Sequence, residues 1–288
     1  MKLIKTYKQV NEKDKDLDFR ISKMEDIYES RNGEIDVPHI HEYYTMLLTI
    51  KAKGKHVIDF KSYPLSDNQV FFIKPHQVHQ VVEDKKSFGF VIVFSNQFLV
   101  KNNINTCFID DLNLFNNFGE NPPLILNNKE QEKLSNYVLE MLLYSQSEIM
   151  FKEEAIGALL KLLLIHCHNL CSKSPKETIQ GCPGNSVLKS FKNLVSENYS
   201  IWHSTSNYAN ELNISPDHLN RIIKSLTGKT AKAHIQGQII IIAKRLIYFT
   251  DLSSKEIGHK LGFSEPANFS AFFKNCTGVP PSKFKTTI

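Results

Sequence analysis

Apolar and polar positions change their period twice along this chain. From Phe19 to Phe94 the apolar residues come in short runs separated by turn residues, which predicts strands. Thr45 to Lys51 and His56 to Phe60 lie either side of Gly54 and read as a hairpin. Val70 to Ile73 and Phe88 to Phe94 read as further strands. Pro64 to Asn68 and Pro75 to Val78 read as turns. Short strands at this spacing predict a barrel or jelly roll.

From Asn128 onward the period becomes helical. Asn128 to Ser147 carries Leu134, Val138, Met141 and Leu142 on one stripe. Phe151 to Cys171 carries Ile156, Leu159, Leu160, Leu162, Leu163, Leu164 and Ile165, more apolar surface than one core contact consumes. That excess predicts a second copy of the chain packed there, with Leu160 and Leu164 in the interface. The alternative is packing against the chain's own barrel. Ser172 to Ser186, with Pro175, Gly181, Pro183 and Gly184 among polar residues, reads as a linker.

The last third repeats one pattern about fifty residues apart. The first copy runs from Tyr208 to Lys224 and stops at Thr227-Gly228. The second runs from Ile257 to Lys274 and stops at Thr277-Gly278. Each has a short helix with a small residue (Ala209, Gly258), then a tight turn, then a serine (Ser215, Ser264) placed to cap a second helix. A proline follows (Pro216, Pro266), where a missing N–H loses nothing. The second helix presents Leu219, Ile222, Ile223 and Leu226 in one copy and Phe269, Phe272 and Phe273 in the other to a core. This is the pattern of two helix-turn-helix units, each able to lay a helix in the major groove of DNA. One such match could be an ordinary amphipathic hairpin. Two with matching small residue, cap, proline, apolar triplet, lysine and Thr-Gly stop are hard to obtain from packing alone.

With those residues in view, about 187–288 resembles the AraC/XylS family of bacterial transcription regulators. Tyr208 to Gly228, Ala243-Lys244-Arg245-Leu246, Asp251-Leu252-Ser253 and Glu256 to Phe284, including Gly278-Val279-Pro280-Pro281-Ser282, carry the likeness. The resemblance implies seven helices, a long one of about 229–249 joining the two units, and RNA polymerase as a partner. Ile239, Ile241 and Ile242 depart from it, standing where the family is usually charged, and Gly237 weakens the same helix by about 1 kcal/mol. Four consecutive isoleucines prefer a strand locally, and tertiary packing is expected to override that. The alternative to a larger core is an interface on the isoleucine surface. Tyr63-Pro64-Leu65 through Pro75-His76-Gln77-Val78-His79 also looks like the sensor domain that precedes such DNA-binding domains, a cupin-like barrel.

The net charge of +5 is unevenly placed: 13 Lys and Arg against 6 Asp and Glu from Val187 onward, so +7, and 22 against 24 before it, so −2. Positive charge therefore sits where phosphates would be met. The first twenty residues are dense in Lys, Asp and Glu, so no signal peptide is expected, and the longest apolar run, Ala158 to Ile165, is interrupted by Lys161, so no membrane span is expected. Five irregularly spaced cysteines suit a reducing cytoplasm. His166, Cys167, His168, Cys171 and Cys182 lack a second Cys-x-x-Cys and read as core thiols near a helix end.

Base readers are expected on the first recognition helix at Asp217, His218, Asn220, Arg221 and Lys224, behind the cap Ser215. Arg221 can pair with guanine and Asn220 with adenine. The second helix offers Ala267, Asn268, Ser270, Ala271 and Lys274, with Ala271 in place of a family arginine. It is expected to anchor on phosphates through Lys274 and Lys283. In the barrel, His39 and His41 share a strand face and His79 returns beside them. A cupin holds a metal on two close histidines, a glutamate and a later histidine. Here the glutamate position falls near Thr45, and Glu42 has the wrong parity. His39, His41, Thr45 and His79 are therefore expected to line an organic-effector pocket with no metal and no cofactor. Partly protonated histidines would favour an acid group below pH ~6.5.

The expectation is an α+β chain of several domains: a cupin-like sensor barrel at 1–125, a helical dimerisation segment at 126–171, a linker at 172–186 and an all-α double helix-turn-helix domain at 187–288. It would be a cytoplasmic homodimer and a non-enzymatic, effector-responsive activator bound to double-stranded DNA. The alternatives are a metal-dependent cupin enzyme fused to a DNA-binding module, and a ligand-free barrel used only for dimerisation.

Overall fold

The computed structural model of the chain describes residues 5–8, 10, 18–115, 122–172 and 183–287. Two compact units result, Ile4–Lys176 and Glu177–Ile288.

Among the described residues the first unit contains ten strands: β1 (Lys5–Tyr7), β2 (Phe19–Lys23), β3 (His39–His41), β4 (Tyr44–Lys51), β5 (Gly54–Ile58), β6 (Lys61–Leu65), β7 (Gln69–Ile73), β8 (Val78–Glu83), β9 (Phe88–Phe94) and β10 (Leu124–Ile125). Its helices are α1 (Met24–Ser30), α2 (Asn96–Lys101), α3 (Thr106–Leu112), α4 (Asn128–Ser145) and α5 (Lys152–Ser172). The strands form two five-stranded sheets, ordered β1-β3-β8-β5-β6 and β10-β7-β4-β9-β2. This is the expected sheet-rich sensor unit.

Sheet position explains strand composition. Met46, Leu48, Val70, Phe72, Phe90, Ile92 and Phe94 of the second sheet share a core with residues of α2–α5, while Leu47, Phe71 and Ile73 pack with Ile58, Tyr63 and Leu65 of the first. A sheet covered on both faces needs near-continuous apolar strands, as β7 and β9 are.

Three local expectations fail. Gly54 does not mark a β4–β5 hairpin: β4 pairs with β7 and β9, and β5 pairs with β6 and β8, so the chain changes sheet there. A Cβ on Gly54 would lie 2.1 Å from the Val82 carbonyl, so glycine permits that crossing. Pro64 sits inside β6 rather than in a turn. That strand is at a sheet edge, where a missing N–H is tolerated. β8 was not expected at all, because Gln80 and Glu83 dilute its apolar alternation.

α4 begins with a capping box of Asn127 and Glu130 and buries Leu134, Val138 and Met141. α5 packs on it and buries Ile156, Leu160, Leu163, Leu164 and Cys167 in the same core. Leu160 and Leu164 are each 0% exposed within this one chain, so they are core residues and not the interface expected of them. α5 is long and apolar enough, by composition, to cross a membrane. Its buried stripe lies in the core that it shares with α4 and the second sheet.

The second unit has seven helices among the described residues: α6 (Pro183–Asn198), α7 (Thr205–Glu211), α8 (Pro216–Thr227), α9 (Ala231–Phe249), α10 (Ser254–Lys260), α11 (Pro266–Thr277) and α12 (Pro281–Thr287). α6 starts inside the segment read as linker, the rest of which lies largely outside the described residues. α9 runs through the middle and touches the other six helices. Ile239 and Ile240 are buried in the core and Ile242 packs half-buried against it, so tertiary packing overrides their strand preference; Ile241 is half-buried.

Candidate nucleic-acid interface and sensor cavity

The two halves of the second unit repeat bond by bond. In α7–α8, Asn213 adopts the left-handed conformation (φ 53°) and Ile214 N–H donates to the Ala209 carbonyl at 3.0 Å. In α10–α11, Gly262 does so (φ 81°) and Phe263 N–H donates to Gly258 at 2.9 Å. Both second helices start on proline and end on a left-handed glycine. The Thr227 and Thr277 hydroxyls donate back to the Ile223 and Phe273 carbonyls at 2.7 and 2.8 Å. Gly258 has the role read for it: a Cβ there would stand 3.0 Å from the Phe269 Cβ.

The caps differ. Ser215 accepts from His218 N–H at 3.2 Å and caps α8 as expected. Ser264 does not cap α11. The second turn is one residue longer, Glu265 takes the cap position, and no side chain caps that helix.

On α8, Ser215, Asp217, Arg221 and Lys224 are exposed and His218 is half-buried. The Arg221 guanidinium donates to His218 Nδ1 at 2.7 Å, which holds its head on the helix surface while other N–H groups stay available for a base. Asn220 turns away from the expected role: its Oδ1 accepts from Ala231 N–H at 3.1 Å, at the first turn of α9. An amide oxygen held there is not presented to adenine. On α11, Ala267, Asn268, Ala271 and Lys274 are exposed and Ser270 is half-buried, so this face has few polar reaches.

In the first unit, the strand ladder assembles the histidines. His39 is directly opposite His79 across β3 and β8. His41 lies two residues on, and all three are buried. Ring centroids are 4.3 Å apart for His39–His79 and 4.8 Å for His39–His41 and His41–His79. A fourth imidazole, not singled out in the sequence, joins them: His56 Nε2 is 3.1 Å from His79 Nδ1. Its only sequence signal was a histidine on the inward parity of β5. Thr45 is buried, with its hydroxyl 2.8 Å from His41 Nδ1.

Beside the cluster lies a cavity of about 510 Å³. Lys5 and Arg20 stand at its exposed rim, and Leu47, Val81, Val91 and Val93 line its apolar wall. Arg31 pairs with Glu83 at 2.7 Å and Asp36 at 3.4 Å within it. Burial, with a smaller push from His39, holds His41 and His56 at pKa about 3, and His79 well below 6.5. Burial thus keeps these three neutral at physiological pH, against the expectation of partly protonated rings at His41 and His79.

Of the His/Cys group in α5, Cys167 is fully buried and its thiol pKa is raised by that burial. His168 Nδ1 lies 2.8 Å from the Leu112 carbonyl. Cys182 lies outside the described residues.

A sheet-rich unit around a polar cavity, followed by paired helix-turn-helix units with a cationic reading face, defines a ligand-binding regulator of transcription. Residues 208–287 match the family model of a helix-turn-helix domain, and residues 28–102 match that of the AraC-like ligand-binding domain. The chain belongs to the AraC family, as a sequence-specific DNA-binding regulator with an N-terminal ligand-binding domain. It is 30% identical over 101 residues to the probable transcription factor PqrA of Proteus vulgaris, covering 35% of this chain and 81% of that protein. It is 23% identical over 252 residues to the HTH-type transcriptional regulator YfiF of Bacillus subtilis, 86% of this chain and 78% of that protein. Against the transcriptional activator RhaS of Pectobacterium carotovorum it is 22% identical over 251 residues, 86% of each.

Proposed function

We propose that this protein is a cytoplasmic, non-enzymatic activator whose DNA binding or contact with RNA polymerase is set by a small organic effector held in the sensor cavity. The observation that carries the effector is the cavity of about 510 Å³, room enough for a small organic molecule. A barrel kept only for dimerisation has no need of it. An acid group would meet Lys5 and Arg20 at the rim, and an apolar body would lie on Leu47, Val91 and Val93. His39, His41 and His79, held by Thr45, His56 and the backbone, offer neutral hydrogen-bonding edges. The positive sign of regulation is supported by the likeness to RhaS, an activator.

On DNA, α8 supplies direct readout through Arg221, with Asp217, His218 and Lys224 beside it. α11 supplies phosphate and apolar contacts through Lys274, Asn268 and Ala271. Two chains reading paired half-sites complete the arrangement. The test is footprinting of the full chain on DNA upstream of its own gene, with and without small organic acids that raise its melting temperature. A protected pair of half-sites whose occupancy or transcription responds to such an acid supports the reading. Saturating, sequence-independent binding overturns the DNA part, and a full screen without one stabilising compound overturns the effector part.

A further inference from the structure

We propose that His39, His41 and His79 bind one divalent transition-metal ion of the zinc, nickel or cobalt class. The site goes beyond the effector reading and does not depend on it. One ring nitrogen from each of the three buried histidines lies within 4.8 Å of the others. The second nitrogen of each ring is already held by the protein. His39 Nδ1 is 2.8 Å from the Val37 carbonyl, His41 Nδ1 is 2.8 Å from the Thr45 hydroxyl, and His79 Nδ1 is 3.1 Å from His56 Nε2. A carbonyl only accepts, so His39 carries its proton on Nδ1 and presents a lone pair at Nε2. His79 can do the same by donating from Nδ1 to His56. Its Nε2 is buried with no partner. Metal-binding histidines are oriented in this way, with the non-ligating nitrogen tied to a carbonyl, hydroxyl or second ring.

A buried aromatic nitrogen with no partner is costly, and the ring that carries this one lies beside two more imidazoles. Three neutral imidazoles suit borderline ions such as Zn²⁺, Ni²⁺ and Co²⁺ better than Mg²⁺ or Ca²⁺, which want oxygen. A tetrahedral ion at ~2.1 Å from each nitrogen needs those nitrogens roughly 3.4 Å apart. Ring rotations close the remaining gap, since the strand ladder already sets His39 opposite His79. Among the described residues no carboxylate joins the set: Glu42 is exposed beyond β3, and Asp36 meets His39 on its Nδ1 side, 3.4 Å away. The bound ion therefore keeps its full positive charge and an open position for water or an anionic ligand atom.

The test uses the full chain, stripped with chelator and titrated with Co²⁺. The expected result is one tight equivalent, with visible d–d bands and no near-ultraviolet thiolate charge-transfer band. Zn²⁺ should displace it and raise the melting temperature of the protein. His39→Gln and His79→Gln should each weaken binding at least tenfold, and Thr45→Val, which removes only an orienting hydroxyl, should weaken it less. Buried histidine variants can fail to fold, so the spectrum of the unaltered chain decides by itself. No tight equivalent, or a thiolate band placing the ion on cysteine, overturns the site. So does a folded His39→Gln/His79→Gln double variant that still binds one equivalent as tightly. A chain that footprints normally yet takes up no metal loses this site and keeps its proposed function.

Discussion

Arg221 and Asn220 are neighbours on one helix, and the proposed reading gives them opposite duties. Arg221→Ala should weaken specific DNA binding by about 1–3 kcal/mol and relax preference at one base. Asn220→Ala should lower thermal stability by about 1 kcal/mol, through loss of its bond to Ala231 N–H, and weaken all sequences alike. Affinity measured on a panel of single-base operator variants separates the two; a base-selective defect in Asn220→Ala would reverse the assignment. In the sensor unit, the buried histidines tie stability to pH. His41 and His56 fall from 6.5 to about 3 on folding, so between those values the unfolded chain binds protons that the native one does not. Their contribution is complete above 6.5 and is lost as pH falls toward 3, on the order of 1.4 kcal/mol per pH unit for each group. Calorimetry of metal-free protein should therefore show the sensor transition dropping below pH 6.5, with a shallower slope in His56→Gln. A flat profile from pH 6.5 to 4 would contradict the buried neutral state. Strand parity made the meeting of His39, His41 and His79 legible in the sequence, and the repeat made legible the exposed face that carries Arg221. His56 and the diversion of Asn220 were not, because each depends on a partner fixed only by tertiary structure.

Among the elements, α8 and α11 share a pattern but not a cap. Ser215→Ala should cost about 1 kcal/mol, whereas Glu265→Ser should stabilise the second motif by up to about 1 kcal/mol by supplying the missing acceptor. Chemical denaturation followed at Trp202, which packs in this unit, reads both changes. A loss of stability in Glu265→Ser would mean that the longer turn cannot place a serine hydroxyl over the first N–H groups. Gly237 lies in α9 with open space where a Cβ would stand, so Gly237→Ala should add about 1 kcal/mol. The helices were legible because their stripes persist over many residues. β6 and β8 were not, for physical reasons: an edge strand accepts Pro64, and β8 turns polar residues into a cavity, so neither shows a plain alternation. The crossing at Gly54 was misread since a glycine between two apolar runs looks the same whether the runs pair or part.

For the whole molecule, the distribution of charge and apolar surface bears on assembly. The +7 of the DNA-binding portion offers attraction to any phosphate backbone, which supplies affinity without sequence choice. On the proposed reading, choice rests on few side chains, chiefly Arg221, and doubling the reading heads is the direct way to enlarge it. The apolar surplus of α5 makes no interface through Leu160 and Leu164, since both close the chain's own core. Among the large apolar side chains left outside are Leu139 and Leu143, four residues apart on α4 and 43% and 62% exposed, with Leu162 of α5 at 49%. Large side chains on an otherwise polar helix face, one turn apart, are the usual seam of helix pairing. If two chains associate here, Leu139→Glu/Leu143→Glu should give a folded monomer at micromolar concentration by sedimentation, with the melting temperature of the sensor unit retained. Leu160→Glu should instead unfold the unit, because it buries a charge among Leu134, Val138 and Leu164 with nothing to pair it. A dimer that survives the double substitution places the interface elsewhere, and an unaltered chain that sediments as a monomer removes it.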